Sequence, residues 1–273
     1  MKKIGILFLG LISAFSFSQN TRFVYQVSMK TDSTAAPKIE NAYLDISTEK
    51  SIFYGEKRMK RDSTIRQAME TRNFNFDRNS MEQFRTAITY SIEKNHSTKT
   101  ITYKDRIARD QYWYDEDRTF TWKILPETVK IGEYETQKAE TTFAGRKWFA
   151  WFTQDLPFID GPYKFSGLPG LIVKVEDEKG DYSFDLKETK KIAELPNFES
   201  RFGNNIKVKR SEFLKQQEKF NKDPMSFFQN QGGGFAMRMG GNQNPQNEAE
   251  RRKMMEERLK EEAKANNNPL EKN

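Results

Sequence analysis

Apolar and polar residues alternate with a period of two along much of this chain. Phe23, Tyr25, Val27 and Met29 alternate with Val24, Gln26, Ser28 and Lys30, the spacing of a strand that lays one face on a core. Leu44 and Ile46, Ile52 and Tyr54, then Ile88, Tyr90 and Ile92 continue the rhythm, as do Tyr112 and Tyr114. Leu171, Val173 and Val175 oppose Ile172, Lys174 and Glu176; Tyr182, Phe184 and Leu186 oppose Ser183, Asp185 and Lys187. The polar string Glu178-Lys179-Gly180-Asp181 between these two runs predicts an antiparallel hairpin. Short strands joined by turns, without amphipathic helices between them, argue against a βαβ fold. The pattern predicts a mainly β protein: one curved antiparallel sheet or a partly open β-barrel, followed by a C-terminal helical, partly disordered tail.

Two stretches break the rhythm. Residues 55–85 are rich in Lys, Arg, Asp and Asn and read as a flexible insertion, either a long loop or a short helix near Ser63 to Arg72. Ser211 is a candidate cap for a helix carrying Phe213, Leu214 and Phe220, which Asp223-Pro224 would end. Gln229 to Gln246 is Gly, Asn and Gln rich, a composition that buries little apolar surface and predicts disorder. Glu248 to Ala265 is dense in Glu, Lys, Arg and Ala, and predicts a solvated helix held by i,i+4 pairs. The domain reading is therefore a signal peptide at 1–18, an antiparallel β domain at 19–210 and a helical, Gly/Asn/Gln-rich tail at 211–273.

The start of the chain bears on compartment. Lys2 and Lys3 precede the apolar run Ile4 to Ile12 and a small-residue stretch ending at Ser18, the layout of a secretory signal peptide. The run is shorter than the roughly 20 residues of a membrane span, so no transmembrane segment is expected after cleavage. The absence of cysteine excludes a lipid anchor at the cut, disulfides and thiol chemistry. A periplasmic or secreted, outer-envelope location is expected. The net charge of +7 is interleaved with acidic residues, which points to solubility rather than to nucleic acid.

The most informative segment runs from Gly145 to Asp177. It contains the strand Trp148-Phe149-Ala150-Trp151-Phe152, then Gly161-Pro162-Tyr163-Lys164-Phe165 and Gly167-Leu168-Pro169-Gly170-Leu171-Ile172. Trp148, Ala150 and Phe152 would point one way, and Phe149 and Trp151 the other. Pro169 presets φ for the second position of a turn, and Gly170 can take the positive φ a type II turn needs at its third. Gly161 and Gly167 offer the same freedom, and Pro162 stiffens the loop. These five residues form the expected structural turn.

This segment resembles the GLPGLI family, whose name stands here as Gly167 to Ile172. The resemblance extends upstream through Trp122 to Glu127, Lys130 to Gly132 and Gln137 to Ala139, and Asn268-Pro269-Leu270-Glu271 looks like the family's usual ending. It implies a secreted or periplasmic β protein of Bacteroidetes with no assigned function, so no catalytic residues carry over. Where the resemblance implies a Cys, two residues after Tyr134, this chain has Thr136.

The residues give little chemistry. His96, the sole histidine, sits in a polar turn-like string and reads as a turn residue rather than a triad base. One His and no Cys argue against zinc. Asp115 to Asp117 and Glu176 to Glu178 read as turns rather than calcium loops. Asp155 and Asp160 beside aromatics are the one carboxylate pair a hydrolase would use. They read more simply as turn residues bonding nearby backbone. The expectation is a non-enzymatic envelope protein, without cofactor or metal, binding an apolar ligand or an envelope protein partner. Trp148, Trp151, Tyr163, Phe165 and Leu168 are the candidate binding residues. The alternatives are a carboxylate-dependent hydrolase of envelope polymers and an accessory subunit of an outer-membrane complex, docked through its basic tail.

Overall fold

In the computed structural model, residues 20–73, 83–198, 203–229 and 245–272 are described. The expected signal peptide and most of the Gly/Asn/Gln-rich stretch lie outside them. The strands are β1 (Asn20–Met29), β2 (Lys38–Ile46), β3 (Lys50–Gly55), β4 (Ser91–Asn95), β5 (Ile101–Ile107), β6 (Asp110–Asp115), β7 (Lys123–Ile131), β8 (Tyr134–Phe143), β9 (Arg146–Thr153), β10 (Leu171–Asp177), β11 (Tyr182–Ile192) and β12 (Asn205–Lys207). They form one 12-stranded sheet in the order β12-β6-β5-β4-β3-β2-β1-β11-β10-β9-β8-β7. Pairing is antiparallel except at β12, which runs parallel to β6. The sheet is thus open and mixed rather than a closed barrel, with β12 and β7 as its edges.

The predicted hairpin is present: Val175 pairs Phe184, and Gly180 turns the chain with φ +67° and a bond to the Asp177 carbonyl. The Tyr112 and Tyr114 alternation falls in β6, whereas β5, β7 and β8 escape a simple period-two reading. In β7 nearly every side chain is exposed, so no buried face imposes alternation on it.

The sheet sorts its side chains by face. Phe23, Tyr25 and Val27 of β1, Leu44 of β2, Phe53 of β3, Trp148 and Phe152 of β9 and Phe184 of β11 meet in one buried cluster. Val24, Tyr43, Ile52 and Tyr54 point the other way, toward Met59, Leu195 and Phe198. Met59 belongs to helix α1 (Glu56–Thr71), which corrects the expected flexible insertion. The first half of that stretch is a 16-residue helix, longer than the Ser63 to Arg72 option. Its charged face hid it, because it covers the sheet with Met59, Ala68 and the stem of Arg58. The Arg58 guanidinium lies 4.6 Å from the Phe198 ring centroid.

Three further helices follow: α2 (Arg210–Lys222), α3 (Pro224–Gln229) and α4 (Pro245–Lys264). The N-cap of α2 is Lys209, not Ser211, and no side chain caps it. Phe213 is buried against Tyr103 and Tyr114, with centroid separations of 5.5 and 5.4 Å. As expected, α4 is solvated and carries i,i+4 pairs, among them Lys260–Glu256 at 2.6 Å. Among the described residues no helix is long and apolar enough to cross a membrane.

Candidate functional site

Between β9 and β10 the chain makes the long connection 154–170, and this loop fills the inner face of the sheet. Its local form follows from proline. Phe158 N–H bonds to the Leu156 carbonyl at 2.8 Å across Pro157, and Gly170 N–H to the Leu168 carbonyl at 2.8 Å across Pro169. These are three-residue turns, which suit the fixed φ of the central proline. The expected type II turn at Pro169-Gly170 is therefore corrected. Gly170 does have positive φ, at +145°, but Leu171 N–H bonds to Leu156 rather than closing on Leu168. A Cβ at Gly170 would lie 2.0 Å from the Thr153 carbonyl oxygen. Gly161 needs no special φ; it is small because a Cβ would stand 2.8 Å from the Ile172 side chain. Tyr163 takes the left-handed conformation, φ 55°, inside the turn closed by Phe165 N–H on the Pro162 carbonyl.

This geometry brings four of the five candidate binding residues together. Trp148, Phe165, Leu168 and Tyr163 are 0, 0, 1 and 3 % exposed and belong to one core cluster. The Phe165 ring lies 4.9 Å from Trp148 and 6.1 Å from Phe143 of β8. Its neighbour Lys164 reaches Tyr114 of β6, with Nζ 3.1 Å from the hydroxyl. Nine strand spacings separate β6 from β8 in the sheet order, roughly 43 Å if the sheet were flat. Two adjacent residues can touch both strands only because the sheet curls round them. Trp151, the fifth candidate, faces outward and is half-buried.

Two buried lysines tie the loop to the sheet. Lys94 of β4 forms an ion pair with Asp160 and donates to the carbonyls of Gly161 at 2.6 Å and Phe165 at 3.1 Å. Burial pushes the Lys94 ammonium below its ordinary range. Burial also opposes ionisation of Asp160, but Lys94 and His96 hold its carboxyl below the usual carboxylate value. His96 Nε2 stands 3.7 Å from Asp160 Oδ2, too long for a hydrogen bond. The carboxylate still raises the imidazole above its ordinary value, against some desolvation. Asp155 is exposed while Asp160 is committed to Lys94, so the pair has two different environments.

The second lysine, Lys164, is fully buried. Its ammonium meets Glu116 at 2.5 Å and Glu271 at 2.6 Å, and lies 5.1, 5.3 and 5.4 Å from the ring centroids of Tyr103, Tyr114 and Tyr163. Arg118 completes the cluster with 2.7 Å bonds to both glutamates. Against its burial, Arg118 and Lys164 pull the Glu116 carboxyl down to about 2. Sequence reasoning missed Lys94, Lys164, Glu116 and Glu271. A lysine between Tyr163 and Phe165 was the available signal, but its partner Glu271 is 107 positions away. Thr136 is buried and donates to the Val129 carbonyl at 2.5 Å. Among the described residues no three metal-ligating side chains converge.

The outward face of β8–β10 is different in kind. Phe149 and Trp151 stand half-exposed between lysines, with Lys138 Nζ 4.7 Å from the Phe149 ring and Lys174 Nζ 5.0 Å from that of Trp151. Glu140 pairs with Lys123 and Lys147 at 3.2 Å, so the patch alternates rings and charges. Along the edge strand β7, Ile124 and Val129 are each 46 % exposed.

Fold and site define an open β-sheet protein whose inner face is plugged by its own proline–glycine loop. Residues 141–174, which span the end of β8, β9, the loop and half of β10, match a family model described as a protein of unknown function, Porph_ging. No curated protein matches the chain. Two solved structures of PNGF-II, in different space groups, share the fold with a TM-score of 0.52 each. They are 17% and 16% identical, covering 72% of this chain in both cases and 33% and 32% of PNGF-II. The chain thus spans about a third of PNGF-II's length, and at this identity the likeness is one of fold alone.

Proposed function

We propose that this is a non-enzymatic, periplasmic or secreted GLPGLI-type envelope protein that works by binding a protein partner on the outward side of its sheet. The observation that supports this reading is how its rings are used. Trp148, Tyr163, Phe165 and Leu168 fill the inner face themselves, which takes up the space an apolar ligand would occupy. The apolar surface left over is outward: Phe149 and Trp151 on the face, Ile124 and Val129 on the β7 edge. Half-exposed aromatics ringed by charges fit an aromatic interface centre inside a polar rim, and an open edge offers unpaired backbone groups to a partner strand. The basic residues around Trp151 supply orientation rather than catalysis.

The test is native mass spectrometry of the protein purified from its own envelope fraction. A bound protein that is lost in Trp151→Glu, with the melting temperature unchanged, supports the reading. A bound lipid with no protein partner overturns it in favour of ligand carriage.

A further inference from the structure

The segment Asn267–Lys272 is neither helix nor strand, yet it is held like a ligand. We propose that the groove it occupies is a peptide-binding site specific for Asn-Pro-Leu-Glu, which takes this segment from a second copy of the chain as well as from its own.

The groove reads the side chains of Asn268, Leu270 and Glu271 and the backbone between them. Asn268 uses all four of its polar groups. Its backbone N–H donates to Thr31 at 2.9 Å and its carbonyl accepts from the Tyr182 hydroxyl at 2.6 Å. Its side-chain amide donates to the Lys30 carbonyl at 2.7 Å and accepts from Arg146 at 2.7 Å. Arg146 also donates to the carbonyls of Pro269 at 2.8 Å and Leu270 at 3.0 Å. The Leu270 side chain packs on the inner core. Glu271 accepts from Lys164, from the Tyr163 hydroxyl at 2.5 Å and from Arg118. Lys272 N–H bonds to the Ala144 carbonyl at 2.8 Å, beside Gly145, where a Cβ would meet the Lys272 Cβ at 2.7 Å.

The groove is built independently of its occupant. Arg146 is fixed by Asp177 at 2.7 Å and Asp181 at 3.2 Å, over the Tyr182 ring. Lys164 keeps Glu116 and its three tyrosine rings when Glu271 leaves. Arg146 therefore keeps two carboxylates, while Lys164 and Arg118 share Glu116, so the empty groove retains one positive charge and favours an acidic occupant. The occupant, in turn, is lightly attached elsewhere. The side chains described in α4 are all half-exposed or exposed. Residues 230–244 before it are Gly, Asn and Gln rich. An identical arm that leaves one body can seat in another, and this is a low-cost route to a dimer. The tethered arm has a high effective concentration, so exchange grows with protein concentration. This inference does not depend on the partner surface around Trp151.

The probe is a fluorescein-labelled peptide of residues 266–272, titrated by anisotropy against the full chain. Asn268→Ala/Glu271→Gln, which weakens the resident arm, should bind it at least tenfold more tightly than the wild type. The same peptide with Lys in place of Glu271 should not bind. Wild-type chain in sedimentation equilibrium should show a dimer whose fraction rises with concentration and which the double variant lacks. A folded double variant that ignores the peptide overturns the site, and a wild type that stays monomeric at every concentration overturns the exchange. If the variant does not fold, wild-type hydrogen exchange decides. The amides of Asn268 and Lys272 should open before those of Val27 and Phe184, and equal protection refutes a separable arm.

Discussion

Asp160→Asn isolates one charge at the base of the motif loop. Asparagine keeps the volume and the side-chain oxygen that accepts from Gly161 N–H at 2.7 Å. Only the negative charge facing Lys94 is lost. Both side chains are about 5 % exposed, so solvent cannot replace it. Lys94 then either stays charged, with two carbonyls as its remaining partners, or gives up its proton. Giving up the proton from the ordinary lysine value of 10.5 costs about 5 kcal/mol at pH 7, at about 1.4 kcal/mol per pH unit. That sets a ceiling, and broken buried pairs typically lose about 3–5 kcal/mol. We expect a destabilisation of about 3–5 kcal/mol in urea unfolding followed by tryptophan fluorescence at pH 7. The sign of the pH dependence follows from linkage. With Lys94 neutral in the folded variant and charged when unfolded, the unfolded state binds more protons, so the variant gains stability as pH rises. The gap to wild type should narrow between pH 7 and 9. Lys94→Met/Asp160→Asn should lose less than the sum of its single changes. A loss below about 1 kcal/mol, well under the range for broken buried pairs, or a gap that ignores pH, would refute the pairing argument.

Three other outcomes are expected. Gly170→Ala should cost more than about 3 kcal/mol in thermal unfolding, because it drives a Cβ onto the Thr153 carbonyl. Gly167→Ala, with φ +93° and open space around it, should cost only about 1–2 kcal/mol of backbone strain; equal losses would mean that close approach is irrelevant. His96→Asn should destabilise below pH 6.5, where the imidazole is charged both folded and unfolded. The effect should fade as pH rises through the raised folded value; a constant difference from pH 5 to 9 would remove the Asp160 contact as its cause. Glu116 and Glu271 are depressed carboxylates. Their stabilisation is full above the ordinary value of 4.5 and is lost as pH falls through each lowered folded value. Acid titration should therefore release the Asn267–Lys272 arm first, seen as early loss of amide protection at Lys272; protection kept until global unfolding would contradict this.

Much of the fold is legible in the sequence because strand pairing on a one-sided core writes itself as alternation. The β10–β11 hairpin and the two-faced β9 follow from period two and a glycine turn alone. Helix α1 does not, since a helix that covers a sheet with Met59, Ala68 and the stem of Arg58 leaves no apolar stripe to read. The motif's rings were legible as a unit but not their destination. Alternation says that Trp148 and Trp151 face apart, yet not which face lies inside. That is decided by the curl of the sheet, which brings β6 and β8 onto neighbouring residues of one loop.

The chain by itself determined the β class, the pairing of its later strands and the rigid proline–glycine loop, because these depend on residues a few positions apart. Only the tertiary structure decided that Lys94 and Lys164 are buried cations, that Glu271 completes the second of them, and that the loop seals the inner face. Those outcomes depend on charges and carbonyls brought together from distant segments. Local spacing carries no record of them, since burial makes such groups stable only once every partner has arrived.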